Sequence, residues 1–302
     1  MCSPAADRAL ISLAGRRPLP HNGGMTTDVQ RSEGLSGGGI SFARVWAMVL
    51  RYSYLMRSSW PRILDLVYWP AVQMLMWGFL QLYISGNSGF FARAGGTFIG
   101  AVLLWDILFR GQLGFSVSFL EEMWSRNLAN IMISPLRPTE FVMALMVMSI
   151  VRLAVGMVPV SLLAMAFFGF NLWGLGLALA AFFANLFLTS WAVGIFVSGL
   201  LLRQGLGAEN MAWTIMFIFL PLTCVYYPVA VLPDWLQVVA WALPPTYVFE
   251  GMRALLIDHA FRADLMVEAL ALNVVLFIAA VAAFLALLQS ARKHGSLMQT
   301  GE

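Results

Sequence analysis

The chain has 302 residues, 60% of them hydrophobic and only 11% charged, with a mean hydropathy of +0.80. A soluble domain carries roughly 25% charged residues, so the composition excludes a soluble globule and indicates an all-α, polytopic membrane protein. The net charge of +3 is almost wholly arginine, with Lys293 the single lysine, and in a membrane protein such a balance speaks to orientation rather than to nucleic acid.

Residues 1 to 39 are rich in Gly, Ser, Pro and Arg without sustained periodicity, which predicts a disordered cytoplasmic tail. From Ile40 to Arg62, Trp46, Leu50 and Tyr54 recur at spacing four among Arg44, Arg51, Arg57 and Arg62. That pattern predicts a helix in the cytoplasmic interface whose arginines reach anionic headgroups. The same arginines read equally as a positive-inside anchor for the next span. The first span is expected over about 63–84, with a kink at Pro70, and the loop 85–96 carries only Arg93. The second, about 97–120, holds Asp106 and Arg110 one helical turn apart, where the two charges can pair inside the membrane. They read either as a structural pair facing the bundle or as a functional one.

Glu121 to Glu140, EEMWSRNLANIMISPLRPTE, is the one long polar interruption between two very apolar runs. Trp124, Leu128, Ile131 and Met132 fall on one helical stripe, with Arg126, Asn127 and Asn130 off it. Glu121 and Glu122 then sit where a helix N-terminus favours negative charge, and Ser134-Pro135 stops the pattern. A short amphipathic helix beside the membrane is predicted; an ordinary loop is the simpler reading of the same pattern.

A third span is expected over about 141–168, with Arg152 and Pro159 inside, a fourth over 172–202, a fifth over 211–231 and a sixth over 265–288. Between the last two, Asp234 to Leu256 breaks at Pro244-Pro245 into halves too short to cross a bilayer. A re-entrant or interfacial hairpin fits, because irregular backbone at membrane depth needs protein or a water-filled cavity to satisfy it; an amphipathic outer loop fits as well. Counting arginines on alternate loops gives six spans with both termini, 1–39 and 292–302, in the cytoplasm.

Chemistry of its own is missing from this pattern. The single lysine precedes His294, so no Walker-type phosphate loop exists. His21, His259 and His294 are scattered, and Cys2 and Cys224 lie far apart, so neither a metal site nor His-centred catalysis is indicated. No cofactor is expected on the chain and no enzyme activity.

Two stretches resemble the permease family of ABC-2 type exporters: SRNLANIMISPLRPTEF, Ser125 to Phe141, and FLPLTCVYYPVAVLPDWLQVVAWALPPTYVFEGMR, Phe219 to Arg253. Where the family usually carries Gly after Leu-Thr in the fifth span, this chain has Cys224. The resemblance implies a permease pair, a homodimer of this chain, working with two separate ATPase chains that hold ATP and Mg. It makes Arg126, Asn127, Leu128, Ser134, Pro135, Leu136, Pro138 and Glu140 a coupling helix against the ATPase. It makes Pro233, Trp235, Pro244, Pro245, Tyr247 and Arg253 part of an external re-entrant hairpin. The cargo it implies is amphipathic, lipid-linked, saccharide or drug-like, moved out across a bacterial inner membrane. The competing reading is an ion-coupled carrier that uses Asp106, Arg110 and Arg152 as a charge relay.

Overall fold

The computed structural model describes residues 40–87 and 96–294. The expected tail 1–39, Arg93 with most of its loop, and the chain after 294 lie outside them. The described chain runs through α1 (Phe42–Arg57), α2 (Trp60–Asn87), α3 (Thr97–Trp124), α4 (Leu128–Ile133) and α5 (Pro138–Phe168). It continues through α6 (Leu177–Gln204), α7 (Met211–Leu222), α8 (Asp234–Trp241), α9 (Pro244–Ile257) and α10 (Ala263–His294). The all-α expectation holds, with no strand among the described residues.

Five helices, α2, α3, α5, α6 and α10, are long and apolar enough to cross a membrane. Their burial differs sharply: 83% of the most apolar stretch of α3 is buried, against 17% for α2 and 11% for α10. Thus α3 is the central post, packed against α2, α5, α6 and α9, while α2 and α10 turn apolar side chains outward. In lipid such exposure costs nothing, since the tails are as apolar as Leu.

Close helix approach, rather than hydrophobic burial, therefore holds the bundle together. A Cβ at Gly156 of α5 would lie 2.6 Å from the Leu66 carbonyl oxygen of α2, and one at Gly114 of α3 would lie 3.1 Å from Ser149 Cα of α5. Both glycines let backbones touch where any side chain would hold them apart. On the other flank, α6 and α10 share a buried polar clasp. The Asn273 side chain donates to the Asn185 carbonyl (3.0 Å) and accepts from the Thr189 hydroxyl (2.6 Å). In hydrocarbon these amides have no other partner, so they fix the pairing of the two helices.

The boundaries differ from the sequence reading in four places. The interface helix stops at Arg57; Ser58-Ser59 break it, and Arg62 belongs to α2. The fourth span starts at Leu177, because Leu172–Leu175 is a 3-10 turn closed by Gly176 at φ 56°. The second runs on to Trp124, which puts Glu121 and Glu122 in the last turn of a long helix, not at the N-terminus of a short one. The fifth, expected over 211–231, is helical only over its first 12 residues. At about 1.5 Å per residue this helix falls short of a core of about 30 Å. Its backbone leaves the helix at Thr223, where Arg253 Nη1 donates to the carbonyls of Cys224 (2.9 Å) and Val225 (3.3 Å). A protein donor thus meets the irregular backbone, as membrane depth demands.

Replacing Gly156 by Val should force α2 and α5 apart. A loss of about 1–3 kcal/mol is expected, as for overpacking elsewhere. The check is a lower melting temperature in detergent, with Gly207→Ala, at a site with nothing within 4 Å, unchanged.

Candidate functional site

The polar interruption folds as a tethered spur. After α3 ends, Arg126 takes a left-handed turn (φ 53°) and α4 follows for six residues. Leu128 and Ile131 are buried and share an apolar cleft with Leu136, Phe141, Leu202 and Phe284, so α4 sits on α3, α5, α6 and α10. Arg126, Asn130 and Pro135 face outward, and Ile133 is 85% exposed. The predicted stripe is therefore split: Trp124 belongs to α3, while Leu128 and Ile131 share the buried side of α4. Asn127, half-buried, donates to Glu122 (2.8 Å), and the Ser134 hydroxyl closes the helix end on the Ile131 carbonyl (2.6 Å).

Both ends of the spur are locked by ion pairs. Pro138 opens α5, needing no N–H at that position, and Glu140 two residues on turns back to accept the Arg137 N–H (3.1 Å). Glu140 is fully buried and is gripped by Arg44 of α1 through both carboxylate oxygens (2.6 and 2.8 Å) and by the Ser41 N–H (2.8 Å). Such a forked pair is the strong form of the guanidinium–carboxylate bond. At the other end Arg51 grips Glu122 in the same way (2.6 and 3.1 Å), and Glu121 accepts from Arg152 of α5 (2.8 Å) and lies 3.4 Å from Arg62. Arg44, Arg51 and Arg62 thus hold carboxylates where the sequence reading gave them headgroups. Tyr52, buried beside this cluster, has its phenol pushed far above the usual range, first by burial and then by the Glu122 charge, so it stays protonated.

Among the intramembrane charges, Arg110 Nε donates to both oxygens of Asp106 (2.9 and 3.1 Å), as the one-turn spacing predicts. Arg152 does not complete a relay with them: its ion pair is with Glu121. Arg110, Arg152, Glu121, Arg62 and Asp65 nonetheless line one cavity of about 410 Å³. Leu66, Leu113, Val117 and Trp213 supply apolar parts of the same lining.

At the far end of the bundle α8 and α9 meet at Pro244-Pro245, which occupy the first positions of α9. The Thr246 hydroxyl closes the turn on the Ala240 carbonyl (2.6 Å). Pro244, Pro245 and Arg253 are buried, Tyr247 is half-buried against Trp241, and Pro233 and Trp235 are exposed. Arg253 also pairs with Glu250, whose carboxylate accepts the Val229 N–H (2.8 Å), so one arginine ties the α7–α8 connection to α9. Two signals were passed over in the sequence: the polar residues Asn185, Thr189 and Asn273 inside spans, and the three glutamates Glu121, Glu122 and Glu140 as partners for the arginines of α1, α2 and α5.

A model of the ABC-2 type transporter family matches residues 45–257. The chain belongs to that family. No curated protein gives a significant match. Permeases of the ABC-2 family are membrane transport subunits, generally not catalytic themselves, that normally work with an ATPase subunit. Cys224 adds a local detail: its φ of 54° is in the left-handed region that favours glycine, the residue the family usually carries there.

Two outcomes are expected for this ABC-2 permease. Glu140→Lys should free α1, seen as a lower melting temperature and faster tryptic cleavage in α1. The swap Arg44→Glu with Glu140→Arg should recover part of the loss, the backbone N–H bonds staying unmet. At Cys224, Val should lower the melting temperature, since a β-branched residue at positive φ costs about 1–3 kcal/mol, whereas Gly should not.

Proposed function

We propose that the chain is the transmembrane subunit of an ATP-driven exporter and that α4 is the helix on which a separate ATPase acts. The observation that carries this reading is the spur itself: a six-residue helix with Ile133 85% exposed and Arg126 turned outward, clamped at both ends by ion pairs to α1, α2 and α5. An isolated apolar side chain on a polar, rigidly held tip is suited to a cleft on a partner. Movement of α4 would be delivered to α3, α5, α6 and α10 through Leu128 and Ile131, so nucleotide state in the partner would bias the packing of the whole bundle.

In this reading two copies of the chain pair in the membrane and two ATPase chains carry ATP and Mg. Both termini and α1 lie on the ATPase side, in the cytoplasm of a bacterial inner membrane. The α7 helix with its unwound continuation makes the fifth of six crossings, and the hairpin of α8 and α9 at Pro244-Pro245 re-enters from the outside over the exit. Leu136, Pro138 and Ser134 frame the tip, and Glu140 contributes by holding α1 rather than by touching the partner. The apolar, aromatic walls suit an amphipathic, lipid-linked, saccharide or drug-like cargo.

Tagged permease should bring down an ABC-type ATPase and raise its turnover in liposomes; if it captures and stimulates none, the reading fails. Arg126→Glu and Ile133→Asp should each lower transport about tenfold or more, equivalent to roughly 1.4 kcal/mol of coupling. Membrane insertion and melting temperature should be unchanged, and normal transport by both variants would remove α4 from this role.

A further inference from the structure

We propose that the cavity walled by α2, α3, α5 and α7 binds the oxyanionic headgroup of an amphiphile, through Arg110 and Arg152. With about 410 Å³ it has the size of a small-molecule site rather than a niche for bridging water. Arg152 is 9% exposed, and its Nε is buried without a hydrogen-bond partner while Nη2 serves Glu121. Arg110 spends Nε on Asp106, and among the described residues no hydrogen bond comes from its terminal amino groups. A guanidinium has five N–H donors and no acceptor, so both side chains have unmet demand for oxygen.

The ligand chemistry follows from what the protein already supplies. Glu121 is the acceptor between Arg62 and Arg152, Asp65 adds a second carboxylate to the lining, and Asp106 stands behind Arg110, outside it, so three arginines meet three carboxylates while N–H donors stay unused. Recognition is therefore by directed donors rather than by excess charge. Guanidinium forks match carboxylate, sulfate and phosphate oxygens. Beside them, Leu66, Leu113, Val117 and Trp213 offer apolar surface for methylenes, and free phosphate would leave that surface bare. An oxyanion carried on an apolar chain satisfies both sides. Such a ligand has two sources, an anionic lipid of the bilayer or an exported amphiphile. The inference uses the exporter reading only for the second source; binding itself requires no ATPase.

The test is a titration of the purified permease in neutral maltoside detergent with dodecyl phosphate, read as melting temperature and tryptophan fluorescence. Saturable binding is expected, weakened about tenfold or more in Arg152→Gln and in Arg110→Lys, which keeps a charge beside Asp106 but loses the fork. Val117→Trp fills the cavity without touching any ion pair and should abolish binding at an unchanged melting temperature. Dodecanol binding as well as dodecyl phosphate, or Val117→Trp and Arg152→Gln both binding like the wild type, would overturn the site. Inorganic phosphate binding as tightly as dodecyl phosphate would overturn the amphiphile. In phosphatidylcholine nanodiscs, displacement of dodecyl phosphate by phosphatidylglycerol supports a resident lipid, and retention against it supports an exported ligand. Because no ATPase is present, failure here leaves the coupling reading standing, and failed capture of an ATPase leaves this site standing.

Discussion

Three carboxylates at the edge of the apolar bundle, Glu121, Glu122 and Glu140, have to be neutralised where lipid gives little help, and the way this is done sets the shape of that end of the molecule. Each takes its cation from another helix: the first from Arg152 of α5 and Arg62 of α2, the second from Arg51 and the third from Arg44, both of α1. Because the partners sit on α1, α2 and α5, the bridges fasten helices that the loops alone would leave free. The spur between Glu122 and Glu140 inherits rigidity from both anchors, and its apolar underside does the rest.

The opposite end solves a different problem with the same side chain. There α7 stops early, and the exposed carbonyls of Cys224 and Val225 need donors that lipid cannot provide. Arg253 supplies them from α9 and holds Glu250, which in turn takes the Val229 N–H. At one end arginine organises carboxylates; at the other it organises backbone. Between them α3 is enclosed on nearly all sides, and glycines at the α2–α5 and α3–α5 crossings let its neighbours approach.

What the sequence could reveal follows the range of each interaction. Spans were legible because hydropathy is a local sum, and Asp106–Arg110 because a turn of helix is a local distance. The break between α8 and α9 at Pro244-Pro245 was legible because proline limits its own backbone. Arg44–Glu140 was not, since the two residues are 96 apart in sequence and nothing local says that an interfacial arginine will turn inward. The end of α3 was misjudged because Glu121 and Glu122 are polar, and polarity alone cannot distinguish a helix that continues with ion-paired acids from one that starts there. The early end of α7 escaped for a related reason: Thr223 to Tyr227 is as apolar as a helix would be, and only the left-handed Cys224 and the reach of Arg253 disclose the change. Membership of the ABC-2 family rested on two motifs and needed no tertiary information.

The clasp between α6 and α10 bears on how the chain is made. Asn185 and Asn273 stand 88 residues apart, and everything in α7, α8 and α9 is synthesised between them. Until α10 emerges, Asn185 and Thr189 have only carbonyls of their own helix to bond, and α10 brings the amide that completes the set. Their meeting closes a loop around α7, α8 and α9. A chain that stops short of α10 thus lacks the amide that joins the two ends of that loop.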